Sequence, residues 1–208
     1  MQLVALTGGI AAGKSLVAAR LGELGAVIVD ADVLARQAVA PGSPGLAQVV
    51  AVFGAGVLQE DGSLDRAALG ALVFGDAERL ARLNAIVHPE VQRLAHAAFA
   101  AAEAADPEVV VVYDIPLLAE TIEDRDEPFD RIVVVSADEA TRLRRMIEHR
   151  GMTEEAARAR VAAQAPEAAR LALASDVIRN DGDVAEVLAE VDALWERIRA
   201  RSDVRGPA

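Results

Sequence analysis

Residues 8–15 read Gly-Gly-Ile-Ala-Ala-Gly-Lys-Ser and follow the apolar run Leu-Val-Ala-Leu at positions 3–6. Gly8, four intervening residues, then Gly13-Lys14-Ser15 is the spacing of a phosphate-binding loop. Glycines there let backbone N–H groups converge on an anion where a Cβ would intrude. In such a loop Lys14 reaches the β- and γ-phosphates, the Ser15 hydroxyl coordinates Mg²⁺, and the helix that starts there adds the positive end of its dipole. Gly9, Ala11, Ala12, Gly13, Lys14, Ser15 and Leu16 are therefore the candidate nucleotide-binding residues. The plain alternative is a glycine-rich turn that only links strand to helix. The buried-type strand before the loop, and Leu16, Val17 and Leu21 at helical spacing after it, favour the phosphate reading. Lys14 is the only lysine in the chain, against 20 arginines.

What such a loop does depends on its surroundings. A guanine reader of the Asn-Lys-x-Asp type needs a second lysine, which the chain lacks. The third apolar run ends Val-Tyr-Asp-Ile-Pro, so Asp114 can serve the Mg²⁺ shell, but no acid follows it to activate water. Both absences point to transfer of a phosphoryl group to a bound acceptor, hence to a small-molecule kinase. An acceptor hydroxyl needs a carboxylate, and Val-Ile-Val-Asp-Ala-Asp (27–32) supplies Asp30 and Asp32, on one side if the strand stays extended. Asp32 also suits an N-cap of the helix over 33–39, and the two roles do not exclude each other. Arg142, Arg144, Arg145 and Arg150 lie in Arg-Leu-Arg-Arg-Met-Ile-Glu-His-Arg (142–150). Arg142 and Arg145 share a helix face that can close over a triphosphate, placing cations on the migrating charge. The alternative is a solvated helix with Glu148, Glu154 and Glu155 as ion-pair partners.

These groups need elements to hold them. Runs at 3–6, 27–29, 109–113, 132–135 and 176–178 read as strands, the middle ones continuously apolar as in a sheet covered on both faces. Helical patterns alternate with them, which predicts an α/β fold with the phosphate site at the carboxyl end of its first strand. Between the second and third strands lies more chain than a crossover needs: a Pro/Gly-rich loop at 40–45, then helical patterns at 46–53, 65–74 and 78–87. Pro89 is expected to start a further helix carrying 91–105. A second helical excursion covers 138–173, a last helix 183–201 packs Trp195, and the end of the chain frays.

At 208 residues, 53% hydrophobic and 3% aromatic, the chain can build one good Ala/Val/Leu core. A net charge of −12 argues against a nucleic-acid surface. With no cysteine there are no disulfides, thiolate metal sites or thiol nucleophiles. No signal-like start and no apolar run of about 20 residues is present, so a cytoplasmic protein without membrane association is expected.

Taken together, the chain resembles the dephospho-coenzyme A kinase family of the nucleoside-monophosphate-kinase-like group. The likeness runs in order through LTGGIAAGKS (6–15), DADVLAR (30–36), DGSLDRAALGALVF (61–74), LNAIVHPEV (83–91), YDIPLLAE (113–120), RLRRMIEHRGMTEEAARARVAAQ (142–164) and DVIRNDGD (176–183). DAD, HP and D-x-PLL-x-E together are far more specific than the loop alone. The resemblance implies ATP-dependent phosphorylation of the ribose 3′-hydroxyl of dephospho-coenzyme A, the last step of coenzyme A synthesis, with ATP and Mg²⁺ required. It implies a phosphate-loop kinase fold: a five-stranded parallel core (1–36, 106–137 and 174–201), a helical acceptor-binding insertion (37–105), a helical lid (138–173) and a flexible tail (202–208). Its phosphate-loop roles fall on Gly13, Lys14 and Ser15, its general base on Asp32 and its strand-end aspartate on Asp114, with Ser15 and Asp114 for the metal; Lys14, Asp32 and, from the arginine-rich helix, Arg142 are the catalytic candidates. Asp32, Arg36, His88 and Leu117 fall on the acceptor side; His88 before a proline equally suits a helix junction. Either Arg145 or Arg150 matches the lid's phosphate contact. Leu16 stands where the family usually has threonine, removing a hydroxyl that often meets the α-phosphate and modestly weakening nucleotide binding. Two other readings remain open, a kinase for another small hydroxyl compound and an idle nucleotide-binding module; oligomeric state is not legible.

Overall fold

The computed structural model describes residues 1–125 and 127–202, apart from the side chains of Asp124, Arg201 and Ser202. From 203 onward, the tail expected over 202–208 lies outside the described residues. The strands are β1 (Gln2–Gly8), β2 (Val27–Asp30), β3 (Val110–Asp114), β4 (Arg131–Ser136) and β5 (Asp176–Arg179). They form one parallel sheet in the order β2-β3-β1-β4-β5, with Leu6 of β1 opposite Asp114 of β3 and Val133 of β4. β1 is thus flanked by the two strands between which the winding reverses, and its carboxyl end opens at that switch point. Leu3–Gly8 and Val110–Asp114 are buried along their whole length, as continuous apolar runs covered on both faces should be.

Helices follow as α1 (Lys14–Glu23), α2 (Ala31–Ala38), α3 (Pro44–Phe53), α4 (Arg66–Val73), α5 (Ala77–Ala105), α6 (Leu118–Thr121), α7 (Glu139–Arg150), α8 (Glu154–Ala162), α9 (Glu167–Ala172) and α10 (Val184–Ser202). The chain divides into two compact units, Met1–Val29 with Ala102–Ala208, and Asp30–Ala101. In the first, Val4, Leu6, Val17, Leu21, Val135, Leu194 and Trp195 share the core. The excursion over 138–173 belongs to this unit and folds as α7, α8 and α9. Leu143, Met146 and Ala157 form its apolar seam, against which Ile10 and Ala11 of the loop pack. The second unit has its own core of Val39, Val49, Val57, Leu69 and Ile86.

The second unit departs from the sequence reading at two points. Pro89 does not start a new helix; α5 runs through it from 77 to 105. A proline inside a helix removes one hydrogen bond and costs about 3 kcal/mol. Burial of Ile86 before it and of Ala95 and Phe99 after it offsets that cost in an alanine-rich sequence that favours helix throughout. The Pro/Gly-rich loop also ends earlier than expected, because Ser43 caps α3 by accepting the Leu46 N–H at 3.1 Å, with Pro44 in the first turn. Among the described residues no helix is long and apolar enough to cross a membrane.

Candidate active site

The loop between β1 and α1 is shaped by close approaches that only small residues permit. A Cβ on Gly8 would lie 2.6 Å from the Val135 carbonyl oxygen, and one on Gly13 would lie 1.9 Å from Asn180 Nδ2. Gly13 also takes φ +95°, and Ala11 is the one non-glycine in the left-handed region among the described residues, at φ 59°. A Cβ on Gly9 would sit 2.6 Å from Arg142 Nη1 and 3.2 Å from Arg170 Nη2, so two guanidinium groups lie against that glycine. The Ala12 N–H donates back to the Gly9 carbonyl at 3.0 Å, closing the turn. α1 starts at Lys14 with no side-chain cap, which leaves its N-terminal amides to a ligand.

Lys14 and Asp114 meet because the carboxyl ends of β1 and β3 are in register. Asp114 is buried, its neighbour Ile115 donates to the Leu6 carbonyl at 2.8 Å, and Lys14 Nζ pairs with Asp114 Oδ1. Ser15 follows on the first turn of α1, exposed. A hydroxyl and a carboxylate are hard oxygen donors of the kind Mg²⁺ takes alongside phosphate oxygens and water.

The arginines of α7 divide sharply. Arg142 is 4% exposed, and its Nε and Nη1 are buried with no hydrogen-bond partner among the described residues. Arg145, on the same face, donates from Nη1 to the Ala11 carbonyl at 3.3 Å, and from Nη2 to the Asn180 backbone and side-chain oxygens at 2.9 and 3.0 Å. Asn180 in turn donates from Nδ2 to the Ala12 carbonyl at 2.8 Å. Arg144 and Arg150 are exposed, Arg150 ending the helix. The solvated-helix alternative therefore fails for Arg142 and Arg145, and Glu154 pairs instead with Arg158.

Three residues in this region escaped the sequence reading. Gln164 Oε1 accepts the Ile10 N–H at 2.8 Å, Asn180 braces the loop, and Arg170 lies buried beside Arg142. Burial first, and then the nearby Arg142 charge, hold the Arg170 guanidinium below its ordinary value. Gln164 and Asn180 fall inside stretches that carried the family resemblance, so a signal for them was present. Arg170 had none: nothing in a chain with 20 arginines marks it as buried.

In the second unit, Asp30, not Asp32, is the cap of α2. The strand does not stay extended to 32; it ends at Asp30, whose Oδ1 accepts the N–H groups of Asp32 and Val33 at 2.7 and 3.1 Å. This leaves the Asp32 side chain exposed on the first turn of the helix, with Arg36 exposed on its last. His88 is exposed within α5 rather than at a helix junction, since the helix is continuous there. Leu117, in the first unit, precedes α6 and is 48% exposed.

Comparison with known proteins gives the family and the fold. A model of the family described as dephospho-CoA kinase matches residues 2–186. The dephospho-CoA kinase of Leifsonia xyli is 52% identical over 96% of this chain and 100% of the relative. That of Streptomyces avermitilis is 49% identical over 99% and 98%. Among solved structures, TT1252 from Thermus thermophilus superposes with a TM-score of 0.79 at 33% identity, covering 95% of this chain and 97% of that one. The dephospho-CoA kinase from Campylobacter jejuni shares the fold, with a TM-score of 0.63 at 23% identity and the same coverage.

Proposed function

The chain belongs to the dephospho-CoA kinase family, and from that footing we propose how its own residues move the terminal phosphoryl group of ATP onto the ribose 3′-hydroxyl of dephospho-coenzyme A. The observations that carry the proposal are the pairing of Lys14 with Asp114 and a buried Arg142 against Gly9 of the same loop, its Nε and Nη1 without a hydrogen-bond partner among the described residues. Buried cations without partners are costly, and a phosphate chain satisfies them.

In this scheme the amides of 13–15 and the N-terminus of α1 hold the phosphates that remain on the nucleotide, with Ala11 and Ala12 shaping the turn and Gly9 and Leu16 at the edges of the loop. Lys14 bridges the β- and γ-phosphates, and Arg142 stabilises charge on the transferring group. Arg145 keeps the loop in its binding shape, and Arg150 at the helix end meets the outer part of the nucleotide. Mg²⁺ held through Ser15 and Asp114 would supply neutralisation of the β- and γ-oxygens. Asp32 accepts the proton of the 3′-hydroxyl as the new O–P bond forms and the bond to the β-phosphate oxygen breaks, releasing ADP. Arg36, His88 and Leu117 serve the acceptor, which the helical unit receives, and 138–173 closes on the nucleotide. The setting is the cytoplasm, where both substrates are dissolved.

The test is an acceptor screen by coupled ADP release with purified protein, ATP and Mg²⁺. ADP is expected to form in step with coenzyme A when dephospho-coenzyme A is supplied, and sugar acids and nucleosides are expected to give only background. No turnover, or equal turnover on the other acceptors, would overturn the reading. Protection of 142–160 from proteolysis by the two ligands together checks the closing role.

A further inference from the structure

Arg170 is a buried cation for which the scheme above has no use. It comes from α9, a different helix from Arg142, yet both guanidinium groups reach Gly9 and both residues are 4% exposed. Like charges packed together away from water repel, and native proteins keep such groups only where an opposite charge answers them. Among the described residues neither arginine forms an ion pair. The two acids whose charges bear on Arg170 are Glu120 and Glu167, which favour its charged form without forming an ion pair with it among the described residues. Glu120 Oε1 accepts the Ala165 N–H at 2.8 Å, and Glu167 Oε1 accepts the Ser136 hydroxyl. Arg170 Nη1 donates to the Ala165 carbonyl at 2.5 Å, which fixes the direction of the guanidinium without neutralising it.

We propose that Arg170 is a second phosphate-contacting catalytic residue, acting with Arg142 on the transferring γ-phosphoryl group of ATP. The proposal rests on the ATP-dependent reading above. The assignment to the γ-phosphate follows from position. Lys14 and the α1 amides form the cradle at one end of the loop, whereas the arginine pair lies at the other, against Gly9 where β1 ends. Two guanidinium groups offer paired donors to a doubly charged group that loses its bond to ADP while its charge spreads over three oxygens. The Ala165 tether fixes the direction of the Arg170 guanidinium before nucleotide binds.

The test measures affinities for a non-hydrolysable ATP analogue and for ADP, each with Mg²⁺, together with turnover, in the full-length wild type, Arg170→Gln and Arg170→Lys. Arg170→Gln is expected to weaken the triphosphate by about 10-fold or more while leaving ADP within about twofold, and to lower kcat by about 10²-fold. Arg170→Lys is expected to melt with the wild type and recover part of both losses. Equal weakening of ATP analogue and ADP, or no change in either with normal kcat, would overturn the proposal. So would an Arg170→Lys protein that melts normally yet recovers nothing. Wild-type turnover with dephospho-coenzyme A tests the parent reading separately. Its failure would refute that reading, while the triphosphate-to-diphosphate ratio still decides whether Arg170 senses the γ-phosphate.

Discussion

The two compact units present their polar groups in opposite ways. In the unit of Met1–Val29 and Ala102–Ala208, the cations around the loop are packed: Arg142 and Arg170 are buried, Lys14 is paired, and Arg145 is bonded to the loop it faces. In the unit Asp30–Ala101, Asp32, Arg36 and His88 are all exposed on helices whose apolar faces make a separate core. A phosphate site gains from preorganisation, because donors fixed before the charge develops cost nothing to orient later. Acceptor groups held in water on helix surfaces keep ordinary solvation until a substrate covers them. On the proposed function, nucleotide affinity resides in the first unit and acceptor chemistry in the second.

The sharpest attempt to break this comparison is Lys14→Met. It should lower turnover by about 10³-fold and weaken the triphosphate, read by coupled ADP release and calorimetry, because it removes the loop's own cation. Asp32→Asn should lower turnover by about 10²-fold, the scale of general-base losses; near-normal turnover would remove Asp32 from its role. Gly9→Ala probes the packed side more gently. Its new Cβ would meet two flexible arginine ends, not backbone, so the fold should survive while turnover drops about 10-fold through displaced guanidinium groups. The smallest effect belongs to Asp30→Ala, which removes the α2 cap at a cost of about 1 kcal/mol. A calorimetric melt lowered by about 2–4 °C is the expected reading, with ATP affinity unchanged.

How much of this was legible beforehand follows from the range of each signal. The strands were readable as short β-branched runs, β1, β3 and β4 most plainly because strands covered on both faces write continuous apolar runs into local sequence, and the loop was readable from its glycine spacing. Pro89 misled, since a local helix-breaking cost was outweighed by packing that only the folded unit reveals. The Asp30 and Asp32 exchange turned on a two-residue shift in where the strand stops and the helix begins. Arg170, Gln164 and Asn180 act through contacts more than 130 residues away in sequence or across helices, which composition and periodicity do not encode.

The central claim, that the nucleotide side is complete without the acceptor side, is tested most directly by titrating Mg²⁺ and the ATP analogue into Asp32→Asn. The account predicts an affinity within about twofold of the wild type, while Lys14→Met loses binding in the same titration. An Asp32→Asn protein that binds the triphosphate as poorly as Lys14→Met, with an unchanged melting temperature, would contradict it.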